Sequence, residues 1–506
     1  MKTITAAEMY YLDKKTIMET GISGRELMQR AGIQAAKLII DFFSNLSKYH
    51  KMRFVILAGS GNNGGDAFVV ADYLHKNTNA EIIIYSIKTI SELKTDSAFF
   101  ALKVSKNLKI ISKSEPCFKK GDILIDGLLG IGGNGDLKEP YKSWIEKINT
   151  SGLPVVALDI PSGLNADNGA ISNVAVKADL TISMAYPKVG MILNHGPELC
   201  GVVKCVDIGI PTNFATEISS RFQFFFENDV KYLTRRPANC YKYSNGKLLI
   251  IAGSKNFPGA PILTAEAAVL SGAGVINLAV PESANIPMPS NKSIIYSRIP
   301  DSGHGVFSKI SADFLNPLIK NTDAVVIGPG LTQSEHVVKM IENLNFKNVK
   351  SLWDADALNI FSENLDRINI PKNAIITPHQ TEFSRIMKAC SLSEKQRLND
   401  VALLATFLNC IVLLKGNNTL SVAPNSPIYI NSSGTSALAT AGTGDILAGF
   451  VAGIIAQNID PLEATCTGAF IHGAAAEISN LGIRAFSADS LLKLIPVVMQ
   501  NISPFA

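Results

Sequence analysis

A chain of 506 residues is longer than one hydrophobic core supports, so two large domains are expected. With 47% hydrophobic and only 18% charged residues it has ample material to bury, which excludes a disordered chain; a net charge of +4 with no long basic run excludes nucleic acid as the expected partner. Seven cysteines without a CxxC pair fit reduced thiols, the N-terminus lacks the apolar run of a signal peptide, and the apolar stretch 446–456 is too short to span a bilayer, so a cytoplasmic protein with no membrane association is expected.

Helical spacing runs over residues 6–16 and 24–43 and reads as a pair of helices packed ahead of a sheet. Short aliphatic runs follow. Residues 53–58 (RFVILA), 81–86 (EIIIYS), 122–126 (DILID) and 155–159 (VVALD) predict buried strands, and 202–208 closes the first half. The second half repeats the style at 247–252, 274–280, 324–327, 374–377 and 410–415. Strands alternating with helices predict an α/β fold, with mostly parallel sheets covered on both faces. No period of 20–50 residues is present, so the halves are two domains and not a solenoid. The seam is expected between about residues 211 and 237, where the sequence is polar and poor in helical spacing.

The first chemical signal is GSGNNGGDA, directly after the 53–58 run. A glycine-rich turn at a strand's carboxyl end presents backbone N–H groups at a helix start, which suits phosphate. Gly64 and Gly65 allow close approach, Asn62 and Asn63 add amides, and Asp66 adds charge or serves only as a helix cap. Two further strand ends share the pattern. DILIDGLLGIGGNGD places Asp126 before a loop of Gly130, Ile131, Gly132, Gly133, Asn134, Gly135 and Asp136; VVALDIPSG places Asp159 before Pro161 and Ser162. An aspartate ending an apolar strand is partly desolvated, which raises its proton affinity towards the range useful for proton transfer; the plainer alternative is again a cap. Three such loops also make an oxygen-lined place for a hard cation. Together GSGNNGGD, DGLLGIG and LDIPSGLNADNG resemble the motifs of the YjeF N-terminal domain family, the NAD(P)HX epimerases, over residues 1–215. The resemblance implies a Rossmann-like, three-layer αβα domain. It implies that Asn62 to Asp66 and Gly130 to Asp136 hold hydrated cofactor, that Asn63, Asp126 and Ser162 coordinate potassium, and that Asp159 contacts substrate as the acid/base catalyst. The implied reaction interconverts the R and S hydrates at carbon six of the nicotinamide ring, without redox chemistry. The chain departs from the family at Ala67, usually glycine, and at Ile131-Gly132 in a loop often written GTG.

The second signal is SALATAGTGDILAGF, where Gly442, Thr443, Gly444 and Asp445 open a small-residue helix. Glycines there free three N–H groups for an anion, beside an aspartate placed to deprotonate a hydroxyl or merely to cap. Upstream lie GAPILTAEAA with Ala260, VVIGPGL with Gly330, WDADALN with Asp354 and Asp356, TPHQTEF with His379, and LLKGNNT with Lys415, Gly416, Asn417, Asn418 and Thr419. His472, on another small-residue helix, reads as a core histidine. The set resembles the YjeF C-terminal, ribokinase-like domain, the ADP- or ATP-dependent NAD(P)HX dehydratases, over residues 225–506. The resemblance implies a second αβα domain in which Ala260, Gly330, His379 and Asp445 bind the hydrate, while Lys415 to Thr419 and Gly442 to Gly444 bind the nucleotide. Asp445 would activate the S-hydrate hydroxyl for phosphorylation, after which phosphate leaves. Magnesium is the expected companion of the nucleotide, and fusion of the two halves points to ADP over ATP. NADHX, NADPHX and the nucleotide are the expected partners, and a homo-oligomer the expected assembly. Two rivals stand beside this reading: a ribokinase-like small-molecule kinase, and a first half that senses cofactor without catalysis. A dehydrogenase fits less well, because GSGNNGGD is not a GxGxxG fingerprint.

Overall fold

Arg53–Ala58 is buried along five of its six residues, which is what the middle of a doubly covered parallel sheet requires. The computed structural model describes all residues except 45–51, 94, 134, 172, 234–238, 480–481 and 504–506, and only the backbone of 95 and 483. It divides into two compact units, Met1–Phe222 and Gln223–Ala506.

The first unit holds seven strands: β1 (Arg53–Ala58), β2 (Glu81–Ser86), β3 (Ile110–Ser112), β4 (Asp122–Gly127), β5 (Val155–Leu158), β6 (Leu180–Met184) and β7 (Val202–Val206). Their order is β3-β2-β1-β4-β5-β6-β7, and every pairing is parallel. Successive residues serve opposite faces. Phe54, Ile56 and Ala58 join one core with the helices Gly24–Phe42 and Asn62–Asn77, while Val55 and Leu57 join another with Trp144 and Ile145 of the helix Tyr141–Thr150. The result is three layers.

The second unit has ten strands: β8 (Phe222–Phe225), β9 (Lys247–Ile251), β10 (Val275–Pro281), β11 (Ile295–Ile299), β12 (Ala324–Ile327), β13 (Lys350–Trp353), β14 (Ile375–Ile376), β15 (Ile411–Leu414), β16 (Leu420–Val422) and β17 (Ile428–Asn431). The order is β11-β10-β9-β12-β13-β14-β15-β16-β17-β8; pairing is parallel as far as β15 and antiparallel through β15-β16-β17. On one face the helix Thr443–Ala456 packs against Ala260–Leu270 at backbone distance: a Cβ on Gly449 would lie 2.0 Å from the Thr264 carbonyl oxygen, and one on Gly453 2.0 Å from Ser271 Oγ. Glycine at these two positions sets the helix spacing.

The α/β reading holds for both units, and the anticipated strands form within a residue or two of their expected ends. Asp159 falls just beyond β5 instead of ending it. β8 lies in the stretch read as polar linker and forms an edge of the second sheet. Among the described residues no helix is long and apolar enough to cross a membrane.

Candidate active sites

In the first unit β1 sits between β2 and β4, with Ala58 in register with both Ser86 and Gly127. Chain connections run to opposite sides of β1, so the loops after β1 and β4 part and open a crevice at this switch point. The loops are stitched where they begin, the Gly59 amide donating to the Gly127 carbonyl at 3.0 Å. A Cβ on Gly59 would lie 1.7 Å from the Leu128 carbonyl oxygen, and one on Gly64 2.1 Å from that of Gly59, so the turn can close only with glycine. Ala67 is fully buried and faces the bare Gly127, so its methyl, a departure from the family pattern, fits here. Gly61 is the helix N-cap and makes no side-chain cap bond. Asp66 therefore does not cap; it lies one turn further in, 9% exposed.

Asp159 does not cap a helix either. Its φ of +64° places it in the left-handed region, a strained turn for a non-glycine residue. Its Oδ1 ion-pairs with Lys188 and accepts from the Met184 amide at 3.3 Å, while Oδ2 faces the glycine loop, 3.5 Å from where a Cβ on Gly130 would stand. Lys188 is fully buried and also donates to Ser183 Oγ at 3.0 Å and the Met184 carbonyl at 3.1 Å. The sequence reading passed over Lys188. Its signal was a lysine four residues past an apolar strand, the same strand-end pattern that picked out Asp159.

Two more buried carboxyls interact electrostatically with this pair. Burial, reinforced by the Asp159 and Asp13 charges, raises Asp66 well above the ordinary carboxylate range. Burial likewise pushes Asp13 up to about 6, with Lys188 opposing and Asp159 adding. Asp13 lies on the helix Ala6–Thr20, whose Tyr10 hydroxyl reaches within 2.9 Å of where a Gly132 Cβ would stand. That helix is thus a wall of the crevice and not only packing. Gly133 and Gly130 close a tight turn (N–H to O, 3.1 Å), Asp136 is exposed, and Asn134 lies outside the described residues.

Beneath the glycine loop lies an oxygen cluster. Asp126 is fully buried and accepts from Ser162 Oγ at 2.7 Å, the Ser162 amide at 2.9 Å and the Leu128 amide at 3.1 Å. Burial pushes its carboxyl up to about 6 against these hydrogen bonds. Asn63 donates to the Leu129 and Leu158 carbonyls at 2.8 and 3.1 Å, and its own buried Oδ1 has no hydrogen-bond partner. The three residues expected as potassium ligands thus gather around the Leu129 backbone.

The second unit repeats the device. Ile251 of β9 is in register with Ala279 and Ile327, and the Gly253 amide donates to the Pro329 carbonyl at 2.8 Å across the switch point. Gly330, at φ +67°, abuts Ala260: a Cβ there would sit 3.1 Å from Ala260 Cβ. Gly442 is the N-cap of Thr443–Ala456 at φ +88° and packs on Leu263 of the Ala260 helix, which joins the glycine turn to this pair. Of the three expected free amides, Thr443 turns back to the Thr440 carbonyl at 3.4 Å, while among the described residues those of Gly444 and Asp445 have no acceptor. Asp445 is no cap but stands in the first turn; burial pushes it up to about 7, with the Asp354 charge adding and Lys415 opposing. Lys415 bonds Asp354 at 2.7 Å and lies 3.7 Å from where a Gly444 Cβ would stand. Burial works against its charge, yet Asp354, Glu382 and Asp445 raise its proton affinity. Arg397, unremarked in the sequence, donates to the Asn417 and Asn418 carbonyls at 3.1 and 3.2 Å, and Thr419 Oγ1 to the Gly416 carbonyl at 3.0 Å, which fixes the lysine loop. His379 caps the helix Gln380–Ala389, its Nδ1 accepting from the Thr381 and Glu382 amides, so the histidine has a structural duty whatever it binds. His472 is a core histidine as expected, bonded to the Thr443 carbonyl at 2.9 Å.

Each unit matches a known family model. Residues 24–190 match the family model described as YjeF-related protein N-terminus, and residues 248–496 that described as NAD(P)H-hydrate dehydratase. A bifunctional NAD(P)H-hydrate repair enzyme of Moorella thermoacetica is 31% identical over 518 residues, covering 99% of this chain and 97% of its own. The chain belongs to this family. The counterpart from Salinibacter ruber is 32% identical over 530 residues, covering 98% and 95%, and that from Escherichia coli 29% over 481 residues, covering 94% and 89%. Among solved structures, an ADP/ATP-dependent NAD(P)H-hydrate dehydratase from Bacillus subtilis, co-crystallised with ATP and magnesium, is 27% identical; the match covers 56% of this chain and 99% of that one, with a TM-score of 0.47. Bifunctional repair enzymes therefore align with the chain from end to end, which the rival of a lone kinase does not explain.

Proposed function

We propose that this chain repairs hydrated NAD(P)H, the first unit epimerising the R and S hydrates and the second dehydrating the S hydrate at the expense of ADP or ATP. The observation that supports this most is the recurrence, in each unit, of an aspartate beside a glycine turn at a switch-point crevice: Asp159 by Gly130 and Asp445 by Gly444. In the first unit Asn62 to Asp66 and Gly130 to Asp136 would line the hydrate, and Asp159 would exchange its proton. In the second, Asp445 would take the hydroxyl proton as that oxygen attacks the terminal phosphoryl group. Lys415 to Thr419 and Gly442 to Gly444 would hold the phosphates, and Ala260, Gly330 and His379 the hydrate. Loss of phosphate then restores the ring double bond, phosphate being a far better leaving group than hydroxide.

Potassium fits the first unit's oxygen cluster: the orphaned Asn63 Oδ1, the Asp126 carboxylate and Ser162 Oγ are hard donors of the kind such a cation takes. Bound there, the ion would stiffen the loop that carries Gly130. Magnesium would arrive on the nucleotide phosphates and neutralise their charge, with Asp354 the carboxylate beside Lys415. The reading extends to a cytoplasmic homo-oligomer acting on small molecules; its free cysteines fit a reducing compartment. The test is incubation of mixed R and S hydrate with ADP, magnesium and potassium. Complete conversion to reduced cofactor is expected; a halt once the S fraction is consumed overturns the epimerase, and no conversion overturns the dehydratase.

A further inference from the structure

We propose that Asp356 is a positioning residue of the second unit, a clamp that holds the Gly330 loop in the shape the hydrate meets. This rests on the dehydratase reading of that unit and adds a residue to which that reading gives no role.

The backbone of that loop carries the argument. After β12, Gly328, Gly330 and Thr332 take φ of +132°, +67° and +70°, so every second residue lies in the left-handed region. The two glycines do so freely. At Gly328 a side chain is excluded outright, since a Cβ there would lie 1.8 Å from the Asp354 carbonyl oxygen. Thr332 lacks that freedom: in a β-branched residue positive φ is an outlier that the surroundings must impose. Its own hydroxyl does not hold it, because Thr332 Oγ1 is buried without a hydrogen-bond partner. The hold comes from the loop after β13, the neighbouring strand. The Thr332 amide donates to Asp356 Oδ2 at 2.8 Å, and the Gln333 side-chain amide donates to Asp356 Oδ1 at 3.3 Å. Both carboxylate oxygens thus grip consecutive residues of one loop.

The other side of the clamp is firmly set. Asp356 opens the helix Asp356–Glu363, which is anchored by buried Ala357, Leu358, Ile360 and Phe361. Ala355 before it sits at φ +48°, and across that turn Asp354 bonds Lys415 at 2.7 Å while Asp356 bonds the loop. Three consecutive residues therefore serve two places: Asp354 the lysine read as holding phosphate, Asp356 the loop read as holding hydrate. Gly330 lies two residues before the clamped amide and is packed tightly, a Cβ there standing 2.9 Å from Phe257 Cβ and 3.1 Å from Ala260 Cβ. With the clamp cut, Thr332 relaxes towards ordinary φ and draws Gly330 out of its place against Ala260.

The test measures dehydration of pure S hydrate by the full chain with ADP and magnesium. It is run above about pH 8, so that Asp445, held up at about 7, is ionised in every variant. Asp356→Ala should raise KM for the hydrate about 10–100-fold, the effect of losing a hydrogen bond to a charged group, and KM for ADP by less than about threefold. Asp356→Asn should recover most of that loss. Its Oδ1 accepts from the Thr332 amide, and Gln333 turns its own amide to offer oxygen to the new NH2 group. Asparagine keeps the bonds and loses the charge, so the recovery separates a clamp from an electrostatic role. A hydrate KM that stays in place in Asp356→Ala overturns the proposal. So does a rise in both KM values together, the mark of a turn that only supports the fold, and so does an asparagine variant no better than alanine. A wild type that leaves S hydrate unconverted overturns instead the dehydratase reading.

Discussion

Asp354→Asn should shift the acid limb of dehydration to lower pH. Asp445 must be ionised to take the hydroxyl proton, and burial together with the Asp354 charge holds it up at about 7. Removing the Asp354 carboxylate acts twice in one direction. A negative neighbour disappears, and Lys415, now held by Asp354 at 2.7 Å, is released beside Gly444 and the Asp445 turn. An opposite charge within hydrogen-bonding reach moves a carboxyl down by about 1–3 units. Taking one unit, the limb moves from about 7 to about 6. The ionised fraction at pH 6 then rises from about a tenth to about a half, roughly a fivefold gain in kcat relative to its plateau. The assay is formation of reduced nicotinamide from pure S hydrate at saturating ADP and magnesium, across about pH 5 to 9, each variant normalised to its own plateau. Any service Asp354 gives the nucleotide lowers the plateau without moving the limb. A limb that stays in place, or moves upward, refutes the assignment of Asp445 as the base.

Gly64→Ala forces a Cβ to within 2.1 Å of the Gly59 carbonyl oxygen; it should cost about 1–3 kcal/mol and abolish R-to-S conversion while dehydration of S hydrate persists. Gly330→Ala combines φ of +67° with contact on Ala260, so KM for the hydrate should rise at least tenfold and KM for ADP change little. Potassium at about a hundred times its Kd should stabilise the first unit by about 2.7 kcal/mol in thermal melts, and Asn63→Ala should erase that increment.

The strands were legible because both sheets are covered on two faces, so their central strands are continuous aliphatic runs. The short or edge strands were not: β3 is three residues and partly exposed, and β8, FQFF, lies in a polar stretch that only the far edge of the second sheet pairs. Glycine turns were legible for a local reason, since a chain that must approach another backbone closely has only glycine to use. Roles that depend on tertiary partners were hidden. Lys188 matters because Asp159 lies opposite it, Asp13 because the helix Ala6–Thr20 folds over the crevice, and Arg397 because its guanidinium meets two loop carbonyls. The caps tempting from sequence, Asp66, Asp159 and Asp445, fill no cap position, whereas His379, read as a binding residue, does.

The two sites use a lysine differently, and the difference follows from what each reaction asks. In the first unit the lysine bonds the proposed acid/base aspartate itself, and burial raises the proton affinity of the neighbouring Asp66 and Asp13. An epimerase must give back every proton it takes, which suits a base held in place by a fixed cation. In the second unit the lysine bonds a neighbour, Asp354, while the proposed base Asp445 makes no ion pair among the described residues and is pushed up to about 7. A phosphoryl transfer needs its base only once per turnover and must then dispose of the proton, which a group balanced near neutral pH releases readily. On the proposed reading Lys415, held by Asp354, would serve the nucleotide's negative charge. On this reading the same kind of crevice would serve two chemistries through the choice of which carboxylate the buried cation holds.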